Sequence, residues 1–243
     1  MDTNEHGLMS QNSETQKENS MKERPILFSG AMVRAILADT KTQTRRVVKG
    51  EGSIAVVQQS NGPMVLHKYN GETHSGFRIE CPYGQPGDRL WVRETWKPHC
   101  EGPISEEFPL GTCVKYAADG AMVKPTEWTH EQGAWCEMNE ETPQWRPSIH
   151  MPRWASRITL EIVAVRVERL QNISEEDARA EGCDSGIWHQ ESGMLAGETD
   201  PEDIATFRDG YGFLWECING AGSWALNPWV WVVEFRHIAN PKS

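Results

Sequence analysis

The sequence predicts an α+β protein in which short helices flank a small β-barrel. Three stretches carry that expectation. Residues 157–170, RITLEIVAVRVERL, interleave Ile158, Leu160, Ile162, Val165 and Val167 with Thr159, Glu161, Arg166 and Glu168, the period-2 signature of a half-buried strand. The period breaks near Val163-Ala164, which predicts a bulge. Next comes NISEEDARAEG (172–182), a short helix with Ser174 as N-cap, Asp177 three residues on and Gly182 at its stop. A final apolar run, NPWVWVVEFRHI (227–238), reads as a closing strand. Helices and strands mixed without a βαβ alternation point to α+β rather than a doubly wound sheet.

The remaining elements follow in chain order. Residues 1–21 are polar and lack aromatics, so a disordered tail is expected, with Met21 an alternative start. That tail has no apolar h-region and does not read as a secretory signal. GAMVRAILAD (30–39) spaces Met32, Val33, Ala35 and Ile36 as a short amphipathic helix. Residues 54–58 and 64–68 read as a hairpin around Asn61-Gly62-Pro63. In QPGDRLWVRETW (85–96), Pro86-Gly87 makes a turn into a strand. Residues 98–150 read as a long insertion in which CVKYAAD (113–119) is the clear strand. The two prolines of WRPSIHMPRWASR (145–157) favour an extended loop. A polar loop at 184–200 precedes a helical pattern at 201–218, and both belong to a second insertion, about 184–227. Residues 22–243 thus form a single domain.

Composition narrows the function. The net charge of -11 argues against broad binding to duplex nucleic acid. Residues 22–50 run against that balance: Lys22, Arg24, Arg34, Lys41, Arg45, Arg46 and Lys49 face only Glu23 and Asp39, a local excess of +5. A local anion site or a solvated basic face both fit. The eleven tryptophans suit base stacking or core filling. No apolar run is long enough for a membrane helix. The six cysteines form no C-x-x-C pair, so reduced thiols in a cytoplasm are expected, with no metal or other cofactor.

The chemistry concentrates in DTKTQTRR (39–46). Lys41 supplies an ammonium whose pKa burial lowers, Thr44 a hydroxyl that a neighbouring base turns into a nucleophile, and Arg45 and Arg46 planar donor forks for an anion or base edge. Lys41 and Thr44 converge only if the backbone turns between them, since a strand would send them to opposite faces. A surface loop is the alternative. In WVRETW, Arg93 and Glu94 offer contacts to a base edge beside a stacking Trp96; the alternative is an ion pair inside a strand. Arg153 and Trp154, with His150 and Arg157 nearby, suit phosphate and base contact or a plug over the barrel mouth. LWECINGAGSWALNPW reads as structural.

ILADTKTQTRR (36–46), PGDRLWVRETW (86–96), RITLEIVAVRVERLQNISEEDARAEG (157–182) and WVWVVEFRHI (229–238) together resemble the ASCH domain family, a branch of the PUA-like superfamily. The chain is most similar to phage and prophage members, some labelled morphogenetic protein. Its departure is Asp39, where the family signature G-x-K-x-x-T-x-R has glycine; aspartate also tolerates a left-handed turn. The resemblance implies a PUA-like small β-barrel with a cleft beside the KTQTRR loop. That cleft would bind RNA, single-stranded nucleic acid or a modified nucleoside. It also implies an alternative, a metal-independent amidohydrolase for N4-acylated cytidine-like nucleosides, with Lys41 as base, Thr44 as nucleophile and Glu181 as proton shuttle. A non-catalytic phage assembly or regulatory role is a third expectation.

Overall fold

The computed structural model describes residues 21–49, 53–57, 65–69, 77–100, 112–124, 144–183 and 206–238. The expected polar tail, the loop at 184–200 and much of the 98–150 insertion lie outside them. The described residues form a mixed α+β fold, mostly sheet. Its centre is a five-stranded sheet of β1 (Glu23–Leu27), β2 (Gln43–Val47), β6 (Arg89–Arg93), β10 (Thr159–Arg169) and β11 (Trp229–Ile238), in the order β1-β6-β10-β11-β2. β3 (Ser53–Val57), β4 (Val65–Tyr69) and β5 (Phe77–Ile79) make a second sheet; β7 (Trp96–Cys100), β8 (Thr112–Tyr116) and β9 (Met122–Val123) make a third.

These sheets are open, which corrects the expected barrel. β1 and β2 are the two edges of the central sheet, and α1 (Gly30–Leu37) carries the chain from one to the other. A helix, not a strand ladder, therefore spans the two edges. Ser29 caps α1 by accepting from the Met32 amide.

The long strand behaves as its pattern predicts. β10 pairs antiparallel with β11 from Thr159↔Ile238 to Arg169↔Trp229, and the register shifts between Ile162 and Ala164, the bulge expected there. Alternation divides the sheet into two faces. Trp231, Val233 and Phe235 pack with Leu160, Ile162 and the α1 residues Met32, Val33 and Ile36. Val230 and Val232 turn the other way, onto Tyr211, Leu214 and Trp215 of α3 (Phe207–Asn219). Burying roughly 1.5–3 kcal/mol per large apolar side chain on both faces makes the sheet a rigid base for whatever its edge presents.

Two further elements matter for the site. α2 (Glu175–Ala180) starts at Ser174, whose hydroxyl accepts from the Asp177 amide, and ends at Glu181. Gly182 follows at φ +78°; a Cβ there would sit 3.0 Å from the Cβ atoms of both Ala35 and Lys41, so only glycine lets α1, α2 and the start of β2 come this close. Asp39 turns the chain out of α1 at φ 55°, a left-handed conformation that aspartate tolerates. No helix among the described residues is long and apolar enough to cross a membrane.

Candidate functional site

The KTQTRR segment is an edge strand with a bridge in front of it, not a loop. Gln43, Thr44, Arg45 and Arg46 pair with Glu234, Val233, Val232 and Trp231 of β11. Directly opposed residues share a face. Gln43 and Arg45 therefore point to the α2/α3 side with Val232, and Thr44 and Arg46 to the α1 side with Val233 and Trp231. Ahead of the strand, Lys41 forms an isolated bridge with Glu181, held by the Thr42 amide donating to the Ala180 carbonyl at 2.8 Å.

That bridge brings two predicted residues together. Lys41 Nζ donates to Glu181 Oε2 at 2.7 Å and to the Glu181 carbonyl oxygen at 2.8 Å. Lys41 is 2% exposed and Glu181 3%. Burial holds the Lys41 ammonium below the usual lysine range, with Glu181 opposing part of that shift. Lys41 Nζ also lies 5.7 Å from the Phe28 ring centroid.

Arg45 gathers the carboxylates around the same point. Its Nη1 donates to Glu181 Oε1 at 3.1 Å, and its Nη2 to Glu168 at 2.6 Å and to Asp177 at 2.7 Å. Arg166 joins through Asp177 at 2.6 Å and also pairs with Glu234. Gln43 Nε2 donates to the Asp177 carboxylate at 2.9 Å. Burial works against the Arg45 charge, but Glu181 and Glu168 outweigh it and raise its pKa. For Asp177 burial is again the largest influence and pushes the pKa up. Gln43, Arg45 and Arg166 together overcome it and hold the carboxyl below the usual range.

The basic excess of this segment is thus spent internally. Arg46 alone of its three cations meets no carboxylate among the described residues; it donates to the Leu27 carbonyl at 2.8 Å and lies over Phe28. A phosphate approaching here would meet Glu168, Asp177 and Glu181 as well as the cations.

Two cavities flank the Lys41–Glu181 bridge. A cleft of about 670 Å³ lies on its outer side, lined by Arg34, Thr40, Thr42, Arg179, Cys183 and Phe207 among others. A cavity of about 60 Å³ includes Thr44, Arg46, Glu181, Tyr211, Trp215 and Asn219 in its walls. The alternation of extended chain explains the division: Thr40 and Thr42 face the cleft while Lys41 between them faces inward. Thr44 and Glu181 both line the small cavity, and Glu181 also bonds Lys41. Thr44 is 2% exposed, and its hydroxyl makes no hydrogen bond among the described residues. Burial pushes the neighbouring Cys183 thiol up to about 12, away from the thiolate form.

The other predicted binding residues lie elsewhere. Arg93 and Arg153 belong to the β1/β6 edge, across the sheet from β2. Arg93 donates to the Met151 carbonyl at 2.9 Å and sits over Trp91; Arg153 pairs with Glu23 at 2.9 Å and lies 6.0 Å from the same ring. Glu94 and Trp96 turn inward. Glu94, 2% exposed, holds Arg157 in a two-bond fork at 2.9 and 3.0 Å, and Asp119 takes the opposite edge of that guanidinium. Trp96 packs edge-on against Trp154, with centroids 5.6 Å apart. Neither side chain presents an edge or face to a base in this arrangement. Glu94 lies between β6 and β7, and its ion pair runs to Arg157 just ahead of β10 rather than to a residue of the same strand.

Sequence reasoning passed over Gln43, Arg166, Glu168, Tyr211, Trp215 and Asn219. A signal existed for two of them. Arg166 and Glu168 are opposite charges two apart on β10, hence on one face, and such a pair seeks charged company. Nothing local marked the cavity wall from α3.

Comparison with family models, with curated proteins and with solved structures finds no match to this chain.

Proposed function

We propose that the chain is a metal-independent amidohydrolase acting on a small N-acylated, cytidine-like nucleoside, with Lys41, Thr44 and Glu181 as its working residues. The reading also takes the fold as an open, PUA-like relative of the ASCH family. One observation carries it: Glu181 accepts from the buried Lys41 at 2.7 Å and shares a cavity wall with a buried threonine whose hydroxyl is otherwise unengaged among the described residues.

The chemistry follows from that contact. The Thr44 hydroxyl attacks the amide carbonyl carbon, and an O–C bond forms as its single proton passes through the Glu181 carboxylate to neutral Lys41. Burial lowers the Lys41 pKa, so its neutral, proton-accepting form is reached more easily than in an ordinary lysine. The tetrahedral intermediate breaks its C–N bond, and the leaving amine nitrogen receives the proton. Water then attacks the threonyl ester, releasing the carboxylic acid and restoring Thr44. A cavity of about 60 Å³ is small beside the several hundred Å³ of ordinary ligand pockets, so it receives the acyl end only. The spent cations of the KTQTRR segment favour a neutral group there over a phosphate chain.

Binding of RNA or single-stranded nucleic acid remains the second reading, and its supporting observation lies at the opposite edge. Trp91 is flanked by Arg93 and Arg153, an aromatic and cationic pairing suited to base and phosphate. Filter binding of a single-stranded oligonucleotide at low salt separates the two: Trp91→Ala removes retention under the binding reading and leaves hydrolysis intact under the first. The hydrolase reading is tested by incubating the protein with a panel of N4-acylcytidines and following release of cytidine.

A further inference from the structure

Among the described residues, four buried side-chain polar atoms have no hydrogen-bond partner: Arg89 Nε, Trp96 Nε1, Trp215 Nε1 and Ser223 Oγ. Of these four residues, Trp215 alone lines the cavity that Thr44 and Glu181 share. Trp215 is 5% exposed and belongs to α3, packed beneath Val230 and Val232. A buried N–H left without an acceptor is costly, and native proteins leave such groups mainly where something else completes them. An indole nitrogen can only donate. The group it awaits is therefore an acceptor, and a carbonyl oxygen fits a space of this size.

We infer that the indole N–H of Trp215 receives the carbonyl oxygen of the acyl group, and so is the donor that stabilises the oxyanion formed when Thr44 attacks. This rests on the amidohydrolase reading for its catalytic half. The placement of a carbonyl oxygen on Trp215 stands by itself. As the carbonyl carbon becomes tetrahedral its oxygen gains negative charge, and a fixed donor in a water-poor cavity strengthens its bond at that moment.

Trp215→Phe keeps a six-membered aromatic ring and deletes the donor together with the pyrrole ring. Removing a single oxyanion donor typically lowers kcat by about 10²–10³-fold. With N4-acetylcytidine the variant is expected to lose kcat by that order while KM changes little, and its melting temperature falls modestly because phenyl fills less of the core than indole. A melting temperature that falls with kcat unchanged would make the indole a structural group and overturn the inference. The second measurement needs no turnover. In protein carrying ¹⁵N-labelled indoles, the Trp215 Nε1–H resonance, assigned by its absence in Trp215→Phe, is followed while acetamide is added as a bare carbonyl probe. A downfield shift of that resonance supports the inference even if no acylcytidine is hydrolysed, an outcome that would sink only the catalytic reading. Turnover by the wild type with kcat unaltered in Trp215→Phe and no acetamide shift would leave the amidohydrolase reading standing and overturn this one.

Discussion

Lys41 Nζ lies 2.7 Å from Glu181 Oε2, in a pair with almost no exposure, and ties the entry to β2 to the exit from α2 across 140 residues of chain. Breaking one half of a buried pair typically costs about 3–5 kcal/mol, because the other charge stays buried without its partner. Lys41→Met and Glu181→Gln are each expected to fall near the lower end, since Arg45 still reaches Glu181 in the first variant. The double variant should cost less than the two singles combined, by about 1–3 kcal/mol. Urea denaturation of all four proteins checks this; strict additivity would show that the contact carries no coupling.

Thr44→Val should behave in the opposite way. The hydroxyl has no partner among the described residues, and valine has nearly the same shape. Stability is expected to stay within about 1 kcal/mol of the wild type, measured by thermal melting. A larger loss would mean that the hydroxyl holds the fold together rather than waiting for a substrate.

Acid should loosen the carboxylate cluster through Asp177. Its folded pKa lies below the unfolded value because Gln43, Arg45 and Arg166 outweigh the upward push of burial. The stability it contributes is therefore fully present above the unfolded value, about pH 4, and is lost as pH falls through the lower folded value. Asp177→Asn should flatten the fall in melting temperature between about pH 5 and pH 3, relative to wild type. Parallel curves would exclude Asp177 as a source of the acid sensitivity.

The pH dependence of hydrolysis should carry the mark of Lys41. Burial depresses its pKa, so its neutral form appears at lower pH than for an ordinary lysine, near 10.4. The ascending limb of kcat/KM against pH should then have its midpoint below that value. A midpoint at or above the ordinary lysine range would remove Lys41 as the base.

At the other edge, Arg157 holds Glu94 and Asp119 and stacks 4.1 Å from the Tyr116 ring centroid. Burial is the main reason that the Glu94 carboxyl is pushed up. Arg157→Met should destabilise the fold by about 3 kcal/mol and leave the hydrolytic rate of the folded protein unchanged. A loss of rate in the folded variant would tie this cluster to the site at β2.

The elements that alternate cleanly were legible in the sequence. β10 and its bulge, the Ser174 cap and the closing β11 all follow from side-chain period and cap chemistry that a few neighbouring residues determine. β2 was not legible, since QTRRV has the composition of a basic loop and becomes a strand only because β11 and the carboxylates of β10 and α2 receive it. For the same reason the segment's charge excess misled: the partners of Arg45 lie 123 to 136 residues away. Glu94 looked like a reader of bases because the sequence does not show that Arg157 folds onto it. The Lys41–Glu181 pairing came from the family resemblance, not from spacing, and the cavity wall supplied by Trp215 depends on how α3 packs.

Release of cytidine from N4-acetylcytidine by the wild-type protein and by Thr44→Val tests the central claim most directly. The account predicts steady release by the wild type and a loss of about 10³-fold or more in the variant, both proteins being folded. Equal release by the two, or none by a folded wild type, would contradict it.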